Sequence, residues 1–100
     1  MKSVALDGLL KKCESTSKIL KALAHPRRLQ VLCHLSMGDQ TVGELEKLCR
    51  ISQSQLSQFL QRMKSEGLVE ARREGKFVVY AIRDPQIEKL IQSLHQVFCN

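Results

Sequence analysis

Two helix-capping signatures eleven positions apart constrain this chain more than any other feature. Thr41 with Glu44 matches the Ser/Thr-x-x-Glu/Gln capping box, and Ser52 with Gln55 matches it again. Capped starts that close leave room for one short helix over about Val42 to Cys49, a tight turn, and a new helix over about Gln53 to Glu66. That is the spacing of a helix-turn-helix, here about residues 41–66. Gly67 supplies the left-handed residue that ends the second helix, and Leu68 is placed for the hydrophobic contact that accompanies such a cap. Leu68 to Arg73 and Phe77 to Ile82 then read as two strands around a Glu74-Gly75 turn, a wing over about 68–82. The expected class is therefore mainly α with a small β-hairpin, a winged helix-turn-helix. Its commonest use is reading duplex DNA.

The flanks carry helices of a different character. Apolar positions 6, 9, 10, 13, 20 and 23 follow helical spacing and predict one helix over about 5–24, which Ala24-His25-Pro26 interrupts. Pro26 suits the first turn of the next helix, with Leu29, Leu32, Cys33 and Leu35 on one side before Gly38. Asp84-Pro85 starts a last helix over about 85–99, striped by Ile87, Leu90, Ile91, Leu94 and Phe98. The terminal helices are more apolar than a monomer of 100 residues needs. They are expected to pack on each other and on a second copy of the chain, because duplex readers of this kind meet paired half-sites through two-fold symmetry. No apolar run approaches the roughly 20 residues that span a bilayer, and no secretion signal is evident. A single cytoplasmic domain without membrane partners is expected.

Charge supports a polyanion partner. Lys and Arg number 16 against 10 Asp and Glu, a net +6, and each neutralised phosphate releases condensed counterions. Arg72, Arg73 and Lys76 cluster at the wing, where phosphate contacts are expected. On the second helix of the motif, Leu56, Phe59, Leu60 and Met63 form an inward face. Opposite them lie Gln53, Ser54, Ser57, Gln58 and Gln61, with Ser52 and Gln55 at the start and Arg62 among the flanking charges at Arg50 and Lys64. A solvated helix is usually dressed with Lys and Glu. Amides and hydroxyls suit base edges instead: Gln can bond adenine N6 and N7, and Ser can serve either kind of edge.

Four cysteines stand at 13, 33, 49 and 99 without Cys-x-x-Cys spacing. A zinc ribbon and a thioredoxin-type motif are both unsupported, and no Rossmann glycine pattern or cofactor loop argues for an enzyme. No converging Cys, His and carboxylate set is apparent, so neither metal nor cofactor is expected. In a reducing cytosol any disulfide would be conditional.

The segments Thr41-Val42-Gly43-Glu44-Leu45, Ser52 to Leu60, Glu66-Gly67-Leu68-Val69, Arg73-Glu74-Gly75-Lys76 and Tyr80 closely resemble the ArsR/SmtB family of winged-helix repressors. Ala24-His25-Pro26-Arg27-Arg28-Leu29 resembles that family's second-helix start. The resemblance covers nearly the whole chain and implies a homodimeric bacterial repressor joined through its terminal helices, with DNA on the Gln53–Glu66 helix and the wing. The family's metal sites are not carried over. One would fall on Thr41 and Gly43, and the other on Asp84, Gln86 and about Val97 and Asn100. Cys33 and Cys99 instead resemble the thiol pair of the subgroup that senses sulfide, persulfide or oxidant, typified by biofilm-growth, sulfide:quinone-reductase and haemolysin regulators. The implied function is a repressor whose operator affinity falls when these two sulfurs join in a disulfide or polysulfide bridge. Cys13 and Cys49 read as small hydrophobes. The alternatives are a metal-responsive repressor of the same family and an activator that displaces another DNA-bound protein.

Overall fold

The computed structural model describes residues 3–99. Its elements in chain order are α1 (Ser3–Lys11), α2 (Cys13–Leu23), α3 (Pro26–Ser36), β1 (Gln40–Thr41), α4 (Val42–Cys49), α5 (Gln53–Ser65), β2 (Val69–Glu74), β3 (Phe77–Ile82) and α6 (Pro85–Cys99). Helix-turn-helix and wing lie where the caps place them, with two differences in detail. The wing is a three-stranded antiparallel sheet in the order β1-β3-β2, because Gln40 and Thr41 pair with Tyr80 and Val79. Its turn is Gly75-Lys76 rather than Glu74-Gly75, since Glu74 pairs with Phe77. Gly75 has φ 62°, which suits glycine at the first position of a two-residue hairpin.

The amino-terminal helix is not continuous as its periodicity suggests. It breaks at Lys12, whose N–H bonds the carbonyl of Leu9 at 3.0 Å. The hydroxyls of Ser15 and Ser17 donate to the carbonyls of Lys12 and Glu14 at 3.1 and 2.9 Å. Such short side chains compete for backbone groups and loosen a helix where they crowd together.

The remaining boundaries follow their caps. His25 Nδ1 accepts the N–H of Arg27 at 3.2 Å, with Pro26 at the first helical position of α3. The Thr41–Glu44 capping box is complete: Glu44 N–H donates to Thr41 Oγ1 at 3.1 Å, and Thr41 N–H to Glu44 Oε1 at 2.8 Å. The second box is only half made. Ser52 Oγ accepts the N–H of Gln55 at 3.3 Å, and no reciprocal bond from the Gln55 side chain appears among the described residues. After α5, Leu68 N–H bonds Met63 O at 2.9 Å and Gly67 N–H bonds Lys64 O at 3.0 Å, the paired bonds of a Schellman cap around Gly67 at φ 79°.

The core joins Val31, Leu32 and Leu35 of α3 to Leu45, Leu56, Leu60 and Met63 of the helix-turn-helix, and to Val69, Tyr80, Ile87 and Ile91. The protomer is elongated, 51 × 30 × 21 Å with a radius of gyration of 15.0 Å, against about 13 Å for a compact chain of this length. The elongation comes with uncovered apolar surface. Leu6, Leu9 and Leu10 of α1, Leu20 of α2, and Val97 and Phe98 of α6 are all exposed. Within one protomer α6 packs mainly on α3 and β3, and α2 on α3, so the expected pairing of the terminal helices is not made extensively inside a single copy.

Candidate nucleic-acid interface and thiol cleft

α5 presents two chemically distinct faces. Leu56, Leu60 and Met63 are buried and Phe59 is half-buried, so the inward face anchors the helix in the core. Gln53, Ser54, Gln55, Ser57, Gln58, Gln61 and Arg62 are all exposed. Ser52 is exposed as well, but its hydroxyl is engaged in the cap. Arg50 precedes this helix in the left-handed conformation, φ 54°, and makes the turn of the motif without a glycine. The result is a rigid rod edged with amides and hydroxyls, the dimensions and chemistry that a DNA major groove admits.

The wing separates the three cations grouped there by sequence. Arg72 is held by two carboxylates: Nη1 lies 2.6 Å from Asp39 Oδ2, and Nη2 lies 2.8 Å from Glu74 Oε2. Both partners hold its proton more tightly, raising its pKa, with Asp39 the larger cause. Arg72 therefore ties β2 to the loop before β1. Arg73 and Lys76 make no ion pair among the described residues and stay exposed on the hairpin, with Lys76 Nζ 6.0 Å above the Phe77 ring.

A second site opens between α3 and α6. An open, largely apolar cleft of about 860 Å³ is walled by Leu29, Met37, Leu94 and Phe98, and both Cys33 and Cys99 line it, with His34 and His95 beside them. Both thiols are free and exposed. Partial burial pushes the Cys33 thiol pKa up, and negative charge on Cys99 pushes it the same way. His95 is exposed on the cleft wall. Of the other cysteines, Cys49 is buried in the core as a small hydrophobe should be. Burial raises its pKa, Arg27 partly opposes that, and Cys33 adds to it. Cys13 is exposed on the single protomer, its sulfhydryl donating to Leu9 O at 3.4 Å.

No group of three or more His, Cys, Asp or Glu side chains that could hold a metal gathers among the described residues. Asn100, one of the family's metal-site positions, lies outside them. No described helix is long and apolar enough to cross a membrane.

A smaller cleft, about 420 Å³, was not anticipated from the sequence. Lys21 of α2, His25 and Arg28 at the start of α3, and Gln58, Phe59 and Arg62 of α5 line it. The basic run His25-Pro26-Arg27-Arg28 beside a helix start was its only signal.

Comparison with known proteins agrees with the geometry. Residues 25–71 match the family described as bacterial regulatory protein, arsR family. The biofilm growth-associated repressor of Agrobacterium fabrum is 38% identical, over 96% of this chain and 82% of its own length. The transcriptional activator HlyU of Vibrio cholerae is 41% identical, over 81% of this chain and 75% of its own. Among solved structures, the repressor BigR from Xylella fastidiosa superposes with a TM-score of 0.88 at 35% identity, covering 94% of this chain and 96% of that one. Reduced HlyU from Vibrio cholerae gives 0.85 at 36% identity, covering 93% and 98%. These relatives are regulators of transcription, not enzymes. With relatives matched over nearly its whole length, a winged helix-turn-helix and an exposed amide face on α5, this chain belongs to the arsR family of bacterial transcriptional regulators.

Proposed function

We propose that the chain acts as a homodimeric repressor that releases its operator when Cys33 and Cys99 become covalently joined. The observation that supports this reading is that Cys33 and Cys99 line the same cleft between α3 and α6. The α5 face and the wing cations Arg73 and Lys76 supply base and phosphate contacts, and two-fold symmetry sets two α5 helices about 34 Å apart, one duplex turn. A homodimeric winged-helix neighbour from Mycobacterium bovis, with a TM-score of 0.74, supports the assembly. The neighbour HlyU from Vibrio cholerae was solved in a reduced form, which supports a thiol whose redox state matters.

The chemistry balances with a hydropolysulfide as oxidant. One thiolate attacks its sulfane sulfur, forming a cysteine persulfide and releasing a polysulfide one sulfur shorter. The second thiolate attacks the cysteine-bound sulfur and expels hydrosulfide, leaving a disulfide; further sulfane sulfurs retained in the link lengthen the bridge. With peroxide, the first thiolate becomes a sulfenic acid and the second displaces water.

The test compares duplex binding of reduced and polysulfide-treated protein by fluorescence anisotropy on promoter fragments selected by the reduced protein. Loss of binding after treatment, with Cys33→Ser binding normally and ignoring the polysulfide, supports the switch. Unchanged affinity removes it and leaves a regulator without thiol sensing. The relative named as an activator favours a second reading, in which the same dimer raises transcription by displacing another DNA-bound protein. Transcription from the bound promoter in a purified system separates the two, falling for a repressor and staying unchanged for a displacing activator.

A further inference from the structure

We propose that the basic cleft between α2, α3 and α5 seats a DNA backbone phosphate, so that Lys21 of the amino-terminal helical pair belongs to the DNA interface. Lys21, Arg28 and Arg62 bring three cations from three elements to one cleft of about 420 Å³. The only carboxylate paired with any of them among the described residues is Glu66, 2.5 Å from Arg28 Nη2. Arg28 has just 11% of its side chain exposed, and its Nε is buried without an acceptor. Glu66 balances that charge, so the uncompensated positive charge of the cleft rests on Lys21 and Arg62, which make no ion pair among the described residues. The eleven-residue helix α3 begins here with His25 as its cap, and its amino terminus adds the positive end of a helix dipole.

Position selects the anion. Gln58 and Arg62 lie one turn apart on α5, and Gln58 belongs both to the exposed amide face and to the cleft. A duplex seated on that face brings a phosphodiester at the groove edge to the cleft mouth. The Phe59 ring, which also lines the cleft, stands 5.1 Å from the His25 ring at a tilt of 59°, so the two rings leave no parallel slot for a base between them. The site therefore suits a backbone phosphate rather than a nucleobase. It fixes register without reading sequence.

This inference rests on the DNA-binding reading above, and the experiment separates the two. Binding to a labelled mixed-sequence duplex is measured over a salt series for the full chain, for Lys21→Ala, for Lys21→Arg and for Lys89→Ala on α6. Lys21 is exposed on a helix where alanine is well tolerated, so circular dichroism should be unchanged. The slope of log K against log salt is expected to lose about 0.9 for each bound protomer in Lys21→Ala. A fourfold rise in salt should then shrink its disadvantage by about 3.5-fold per protomer. Lys21→Arg should keep the original slope, as should Lys89→Ala. An unaltered slope in Lys21→Ala, with a salt-dependent original protein, overturns the phosphate site alone. An original protein that shows no salt-dependent binding overturns both readings.

Discussion

The apolar stripe of α6 runs past the end of its own core, and truncating its last member measures what covers it. Ile87 and Ile91 are buried, Leu94 is half-buried, and Phe98 one turn later is 78% exposed. Fully burying a phenylalanine contributes about 1.5–3 kcal/mol, so a partner covering the exposed part gains about 2 kcal/mol per protomer. In a two-fold dimer the residue counts twice, about 4 kcal/mol, which corresponds to a roughly thousandfold weaker dimer for Phe98→Ala. The protomer itself should keep its fold, because Phe98 is outside the core cluster. Sedimentation equilibrium over a concentration series gives the dimer constant, and circular dichroism checks the helix content. An original protein that is monomeric at micromolar concentration would refute the reasoning. So would a Phe98→Ala constant within a factor of two or three of the original, since the exposed ring would then face solvent in the assembly.

The wing and the thiol cleft carry two further tests. Arg73→Ala and Lys76→Ala should each reduce the salt slope of duplex binding by about 0.9 per protomer, while Arg72→Ala should change it less because Asp39 and Glu74 already hold that charge; equal slopes for all three would contradict this division. Alkylation of Cys33 should accelerate with rising pH and reach its midpoint above that of an ordinary thiol, since burial and Cys99 both disfavour the thiolate. Cys99→Ser removes the second cause and should move that midpoint down, which mass spectrometry of the alkylated chain reads directly.

The parts legible in the sequence were those set by local chemistry. Thr41, Glu44, Ser52, Gly67 and Asp84 each act on backbone groups within a few residues, so their caps are visible without the fold. The break at Lys12 was hidden because apolar spacing reports which face is buried, not whether the backbone stays continuous. Strand β1 is two residues long and exists only through pairing with β3, forty residues away in the chain, so no pattern of its own announces it. The same limit applied to charge. Arg72 and Arg73 are neighbours in sequence, yet alternation across the strand gives them opposite faces, and only the fold brings Asp39 to one of them. Lys21 and Arg62 likewise come from elements far apart, so their shared cleft could not be read from spacing.

Helix α3 joins the two clefts, and that connection makes the proposed switch reciprocal. His25 and Arg28 at its start line the basic cleft, and Cys33 near its end lines the thiol cleft. Eleven residues of α-helix make a stiff rod of about 16 Å. A bridge that draws Cys33 toward α6 would therefore tilt the end that faces α5 and the duplex. A hundredfold loss of operator affinity needs about 3 kcal/mol, and linkage requires DNA to oppose the bridge by the same factor. In the proposed switch DNA favours the reduced dithiol, so the midpoint potential of the Cys33–Cys99 couple should rise when operator saturates the protein. For a two-electron couple a hundredfold factor is about 60 mV. Redox titration in glutathione buffers with and without duplex, read by alkylation and mass spectrometry, measures the shift. An identical potential in both conditions would mean that closing the bridge leaves the DNA-binding face where it was, and thiol chemistry in this cleft would then have no route to the operator.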